Sequence, residues 1–284
     1  REALESELAR FSPSEVIIPA NNENISNWML AMGINTTPRE SESWAYPVAK
    51  KILEERFGSV SELNTYPMAV TSAGAILSYV KDTQFSDLPH LRPPSLLVKA
   101  KTMTLDAVTL RNLEIVKTIG NSSKDTLFAV LNKTSTAGGS RKLKDWLLRP
   151  LHDLDKLNQR HDAVQELFDN TLSRREIKDI LKGFQDVERL LSRLGHGSIS
   201  PRDLDSLKTS LNTLKDLKQF LSEEPLKSKL MKRLVKSIDV HKQVSEKLEE
   251  ALVEEPPLVL RDGGIFKKGY SEELDDLRSR ASSG

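Results

Sequence analysis

Gly138-Gly139-Ser140-Arg141-Lys142 is the nearest this 284-residue chain comes to a phosphate loop. Such a loop aims consecutive backbone N–H groups at phosphate oxygens and follows them with a lysine and a hydroxyl for phosphate and metal. Here the spacing is wrong, and no strongly apolar strand leads into the glycines. The residues read better as a helix start, with Thr136 as the N-cap and Gly139 permitting a tight chain crossing. The five histidines form no ligand pair. His152 and His161 stand nine residues apart, whereas helix-borne zinc pairs sit four apart with a glutamate between. His161 falls near an apolar stripe and reads as a partly buried, hydrogen-bonded side chain. Glu254/Glu255 and Asp275/Asp276 are adjacent carboxylates that diverge on a helix, so they read as solvated capping charges. There is no nucleophile elbow and no cysteine, hence no thiolate chemistry, no disulfide framework and no cysteine metal site.

Basic residues could still meet nucleic acid. Between Lys208 and Lys236 there are eight basic residues against three acidic ones, yet Phe220 is the one aromatic residue among them and the lysines scatter round polar faces. Solvated helix surface is the better reading. A net charge of +1 gives no global field toward polyanions. No run approaches the length of a membrane span, and no signal-peptide core opens the chain.

The elements that would hold these residues are mostly helical. Hydrophobic content of 38% with 29% charged and 5% aromatic residues suits amphipathic helices better than an aromatic-rich sandwich. REALESELARF reads as a helix, SPSEVIIPANN as a short apolar strand bounded by Pro13 and Pro19, and Asn21–Asn24 as a polar break. A helix is expected over 41–57, with Pro47 either in its first turn or kinking it. Another is expected over 69–80, with Val70, Ala73, Gly74, Ile76, Leu77 and Val80 on one broad face. Pro89, Pro93 and Pro94 mark a connector, and Ser95–Thr104 alternates as a strand. The clearest helix is Pro201–Leu221, where Leu204, Leu207, Leu211, Leu214, Leu217 and Leu221 recur at spacings of three and four. Ser200 is a good N-cap for it, with Pro201 at the first position and Asp203 at the third. Leu154, Leu157, Val164 and Leu167 suggest a second amphipathic helix, Ser237–Val253 a third, and Ser271 opens a last one. Gly263, Gly264 and Gly269 mark a turn-rich segment between them.

Several blocks together resemble one family. LDAVTLRNLEI (105–115) is similar to the L-D-x-x-T-x-R-N-L-E segment of the bacterial MutS DNA mismatch-repair family. TLFAVLNKTSTAGGSRKLKDWLLRPL (126–151) resembles that family's T-L-x-x-x-L-[DN]-x-T-x-T-x-x-G-x-R-x-L-x-x-W-L-x-x-P-L run. RHDAV, DVERLLSRL, SPRDL and PPLVLRDGGIFKKGYSEELDDLR follow in the family's order, while SAGAILSYVKDTQ and LPHL fit the segment before the core. The resemblance implies a mainly α fold: a multi-helix core, or lever, domain with a short strand element, preceded by a small α/β remnant of a connector domain. It divides the chain into 1–38 (end of the connector), 39–94 (helical linker), 95–253 (helical core) and 254–284 (a turn and the start of a lever helix). Since the chain opens on Arg1 and stops at Gly284 inside a helix-like segment, it reads as a piece of a longer protein.

By the same resemblance the chain is a non-catalytic coupling segment of a cytoplasmic, nucleoid-associated ATPase. ATP and magnesium belong to the parent and no cofactor to this stretch. Mismatched double-stranded DNA, MutL and a second MutS subunit are partners through the parent, with weak or no DNA binding by the stretch alone. The alternative is the scaffold of a MutS relative acting on recombination intermediates. No catalytic, metal or cofactor residue is carried over. Arg111, Asn112, Thr136, Gly139, Arg141, Trp146 and Pro150 are the expected packing and hydrogen-bond anchors. If the Trp146 indole is buried, Trp146→Ala should cost about 3–5 kcal/mol in unfolding free energy; near-normal melting of the variant would remove it as an anchor.

Overall fold

Two short extended runs lie side by side near the start of the chain. A computed structural model of the protein describes residues 2–11, 13–60, 63–84, 91–95, 102–103 and 105–283. The first elements are α1 (Glu2–Phe11), β1 (Glu15–Pro19), α2 (Glu23–Ala31) and β2 (Asn35–Arg39). β1 and β2 pair in parallel, from Glu15 opposite Asn35 to Pro19 opposite Arg39. Parallel neighbours need a crossover rather than a tight turn, and α2 supplies it. Asn22 fixes where α2 begins, its side chain accepting the Ile25 N–H at 3.2 Å. The expected polar break is therefore a helix cap. The residue pattern hides β2, because Thr36, Thr37 and Pro38 give it no apolar face. Pro38 is tolerated because each strand of a two-stranded sheet is an edge.

α3 (Tyr46–Phe57) and α4 (Pro67–Gln84) pack against each other around Leu53, Val60, Leu63, Val70 and Leu77. Pro47 falls in the first turn of α3, as expected, while Ser41–Trp44 forms a separate 3-10 turn ended by extended Ala45. Small residues set the helix spacing. Ala49 is fully buried, and a Cβ placed on Gly74 would lie 2.5 Å from both its Cα and its Cβ. Ile76 departs from the expected inward face at 52% exposure, being turned about 100° from Leu77 and so outside the 70–74–77 line. α5 (Ala107–Asn112) begins at Asp106, whose carboxylate accepts the Thr109 N–H at 2.6 Å. The expected strand over 95–104 lies largely outside the described residues.

The chain divides into two compact units, Arg1–Leu127 and Phe128–Gly284. The division falls inside α6 (Leu127–Leu131). The second unit continues with α7 (Ala137–Leu148), α8 (Leu154–Asp169), α9 (Thr171–Leu181), α10 (Val187–Gly195), α11 (Pro201–Glu223), α12 (Lys229–Ser237), α13 (Lys242–Ala251) and α14 (Glu272–Ser283). The fold is thus mainly α, with its small parallel α/β element at the start. α11 is the longest helix among the described residues. Its N-terminus carries a full capping box: Ser200 Oγ accepts the Asp203 N–H at 3.1 Å, and Asp203 accepts the Ser200 N–H at 3.0 Å. Leu207, Leu211, Leu217 and Leu221 are buried.

Two expected patterns change. On α8 the inward line passes through Leu157, Ala163 and Leu167, whereas Leu154 (73% exposed) and Val164 (65%) face solvent. Ala163 takes the inward place, packed with Leu217, Leu221 and Met231, and the roughly 100° step per residue turns Val164 outward. His161 is likewise exposed, not partly buried. The helix expected over 237–253 is shorter, α13 over Lys242–Ala251, because Ser237 still ends α12, Ile238 is extended and His241 adopts a left-handed conformation (φ 45°). After α13 an isolated antiparallel bridge joins Leu252 to Phe266, with Val253 N–H donating to Ile265 O at 3.0 Å.

Gly74→Ala tests the α3–α4 crossing by sign. Helix propensity alone favours alanine by about 1 kcal/mol. The 2.5 Å approach to Ala49 makes overpacking win instead, so denaturant unfolding should show a net loss of about 1–3 kcal/mol. A gain in stability would contradict the close crossing.

Candidate functional site

The expected anchors fall in both units. Arg111 and Asn112 end α5 in the first unit, where both side chains are exposed and neither makes a side-chain hydrogen bond to another described residue. The other five lie along α7 and its exit. Thr136 caps α7, accepting the Gly139 N–H at 3.0 Å. A Cβ on Gly139 would sit 3.0 Å from Thr136 Oγ1 and 3.4 Å from Thr134 Cβ, so the cap closes tightly round a glycine. The preceding turn is tied to the same helix by Asn132, whose Nδ2 donates to Ser140 Oγ at 2.9 Å.

Arg141 links α7 to α10. Its guanidinium donates to both Asp186 oxygens, at 3.0 and 2.7 Å, and lies 2.8 Å from Glu188. Asp186 is also the N-cap of α10, so one carboxylate fixes a helix start and a helix–helix bond together. The hydrogen bonds from Arg141 hold the Asp186 carboxyl below its ordinary range, outweighing its partial burial. With Arg141 47% and Asp186 27% exposed, solvent screening keeps the pair near about 0–1 kcal/mol, at the upper end for a bidentate fork. It sets geometry more than stability.

Trp146 is 36% exposed rather than buried. Arg160 lies over its ring at 3.7 Å from the centroid, a cation–π contact worth about 0.5–2 kcal/mol. Burial lowers the Arg160 pKa against the opposing pull of Asp145. Pro150 follows the α7 C-cap Arg149, whose N–H donates to Asp145 O at 2.9 Å, and it is half-buried.

Residue-type reasoning misses the polar seams elsewhere in the second unit. Ser210 is fully buried in α11, accepting the Gln185 N–H at 3.0 Å and donating to Ser206 O at 2.8 Å. Nearby, a Cβ on Gly183 would approach Thr213 Oγ1 to 2.8 Å, so the α9–α10 turn rests directly on α11. The signal was present: Ser210 and Thr213 interrupt the inward face of a leucine helix. Glu166 of α8 accepts the N–H groups of Lys227 and, at 3.1 Å, Ser228. Burial pushes this carboxyl up, but those N–H donors together with Lys232 hold it below its ordinary value. Asp203 behaves alike: burial raises it, and Ser200 with Arg193 (2.7 Å) more than compensates.

Chemically the arrangement joins helices and offers no reacting centre. Among the described residues no group of three or more His, Cys, Asp or Glu is placed to hold a metal ion. No helix among them is long and apolar enough to cross a membrane. Residues 1–92 match the family model of MutS domain II and residues 108–283 that of MutS domain III. This chain belongs to the MutS family. It is 38% identical over 99% of its length to the DNA mismatch repair protein MutS of Pelotomaculum thermopropionicum. It is 37% identical, again over 99% of its length, to that of Methanosarcina acetivorans. It spans about a third of the length of these relatives, 33% and 32% respectively. The MutS stretches it matches, domains II and III, are not the ATPase domain.

Two measurements probe the site. With the indole a third exposed, Trp146→Ala should cost about 2 kcal/mol rather than the larger figure for a buried ring. The acid response follows from the lowered carboxyls. A carboxyl whose pKa is lower folded than unfolded stabilises above its unfolded value, about 4, and that contribution disappears as pH falls through the folded value. Helical circular dichroism should therefore be flat from neutrality to about pH 5 and fall below about pH 4. Asp186→Asn should lose part of that acid dependence, and an unchanged profile would deny the Arg141–Asp186 bond its part.

Proposed function

We propose that this chain is the structural and coupling core of a DNA mismatch-repair MutS protein, transmitting state between an ATPase and a DNA-reading region carried elsewhere in the parent. The observation that carries the reading is α11, a capped 23-residue helix with a leucine stripe, about 35 Å long at about 1.5 Å per residue. A member of this length, clamped by packing on one face, can pass a displacement between distant sites where two arrangements compete. The curated names of the relatives support mismatches rather than recombination intermediates as the parent's substrate.

Within this reading residues 1–38 end a connector, 39–94 lead into the core, 95–253 form it and 254–284 start a lever. ATP and magnesium act in the parent, and mismatched double-stranded DNA, MutL and a second MutS subunit are the parent's partners. Its place is the cytoplasm, at the nucleoid. Arg111, Asn112, Thr136, Gly139, Arg141, Trp146 and Pro150 are proposed as anchors that keep the helices in register.

Softening α11 on its solvent face tests the coupling. Lys215→Gly with Gln219→Gly, both exposed, should cost about 2 kcal/mol of helix propensity while leaving every stripe leucine in place. In the full-length parent the ratio of ATP turnover with mismatched DNA to that with matched DNA should fall toward one, while basal turnover and DNA affinity persist. An unaltered ratio would sink the coupling role. The 284-residue chain alone should hydrolyse no ATP and bind DNA only weakly and salt-dependently, and tight mismatch-selective binding by it would overturn the reading.

A further inference from the structure

α7, α8 and α12 surround a hollow of about 280 Å³ in the second unit. Trp146, Leu151, Leu230 and Leu234 give it an apolar lining, and Leu234 remains 49% exposed. Lys142, Lys156, Arg160 and Arg233 also line it, and no acidic residue does. Lys156 is paired with Asp153 at 3.7 Å, and Arg160 is spent on the Trp146 ring. Lys142 and Arg233 make no ion pair with any described residue. Carboxylates gather instead in the adjoining groove, where Asp155, Asp162 and Asp169 recur every seven residues beside Lys227 and Lys229, with Gln159 common to both. With four basic side chains and no acidic one in its lining, the hollow attracts a negatively charged ligand.

Two further features narrow the ligand. Single-stranded nucleic acid needs an open aromatic face for stacking and a row of phosphate contacts. Here the Trp146 face is covered by Arg160 at 3.7 Å, and the floor is aliphatic. The volume lies at or below the small end of organic-ligand pockets but admits one or two large side chains. We propose that this hollow docks a short acidic segment of a partner protein. One large apolar side chain would seat on Leu230, Leu234 and the Trp146 edge, with flanking carboxylates on Lys142 and Arg233. The proposal is independent of the coupling role.

The probe is a fluorescein-labelled decapeptide with a central leucine–phenylalanine pair flanked by aspartates and glutamates, titrated against the 284-residue chain by anisotropy at near-physiological salt. Saturable binding is expected. Arg233→Glu and Leu234→Asp should each weaken it about tenfold or more. Lys236→Glu, on the same helix but outside the hollow, should change it less than about twofold. Both hollow variants replace exposed side chains, and Lys142→Glu on α7 repeats the test from another helix. Absence of binding would overturn the proposal. So would equal binding by a peptide with serines at the apolar pair, equal loss in Lys236→Glu, or stronger binding by an oligonucleotide of matched charge.

Discussion

Leu207, Leu211, Leu217 and Leu221 of α11 hold five other helices in place at once. Toward its N-terminal half, Leu207 and Leu211 pack with Leu190 and Val187 of α10 and with Leu248 of α13. Toward its C-terminal half, Leu217 and Leu221 meet Ala163 of α8, Met231 of α12, and Ile177, Ile180 and Leu181 of α9. At about 1.5–3 kcal/mol for each buried leucine, this stripe outweighs every exposed ion pair in the unit. The Lys/Asp decoration of these helices is therefore free to vary with little effect on the fold, whereas a polar residue on the stripe must find a partner or destabilise it.

That requirement explains where the polar seams fall. Ser210 and Thr213 lie on the inward side of α11 and are both satisfied, by the Gln185 N–H and by carbonyls one turn back. Glu166 and Asp186 do the same work at the surface of the bundle, each accepting groups that would otherwise lose hydrogen bonds where a helix starts. Asp186 caps α10, and Glu166 takes the N–H groups that lead into α12. The apolar stripe decides that the helices associate; these carboxylates and hydroxyls decide their register.

How legible this was depended on how local the cause is. The α11 stripe, its capping box, the Thr136 cap and Pro47 in the first turn of α3 all follow from neighbouring residues, so reading the chain in order suffices. The phase of α8 did not, because Leu154, Val164 and Ala163 compete for one inward line, and which of them meets Leu217, Leu221 and Met231 is set by the neighbouring helices rather than by α8 itself. β2 was hidden for a related reason: a strand without an apolar face owes its existence to its partner β1. Trp146 shows a third case. Tryptophan in an amphipathic helix suggests burial, yet Arg160 over its ring lets the indole stay a third exposed. The anchors as a set were drawn from family resemblance, and the geometry separates them: Thr136, Gly139 and Arg141 form one continuous junction, while Arg111 and Asn112 stand on another unit.

The same seams bear on stiffness. Ser210 and Thr213 donate back to carbonyls four residues earlier, a pattern that loosens or bends a helix by competing with its own ladder. In an isolated helix this would be the weak point, roughly midway along α11. Here the α9–α10 turn rests on that very place, with Gly183 against Thr213 and Gln185 bonded to Ser210. The softest intrahelical backbone thus coincides with the closest external clamp. The Lys182–Asp186 turn braces α11 where its own ladder is weakest, and the Arg141–Asp186 bond holds the far end of that turn to α7.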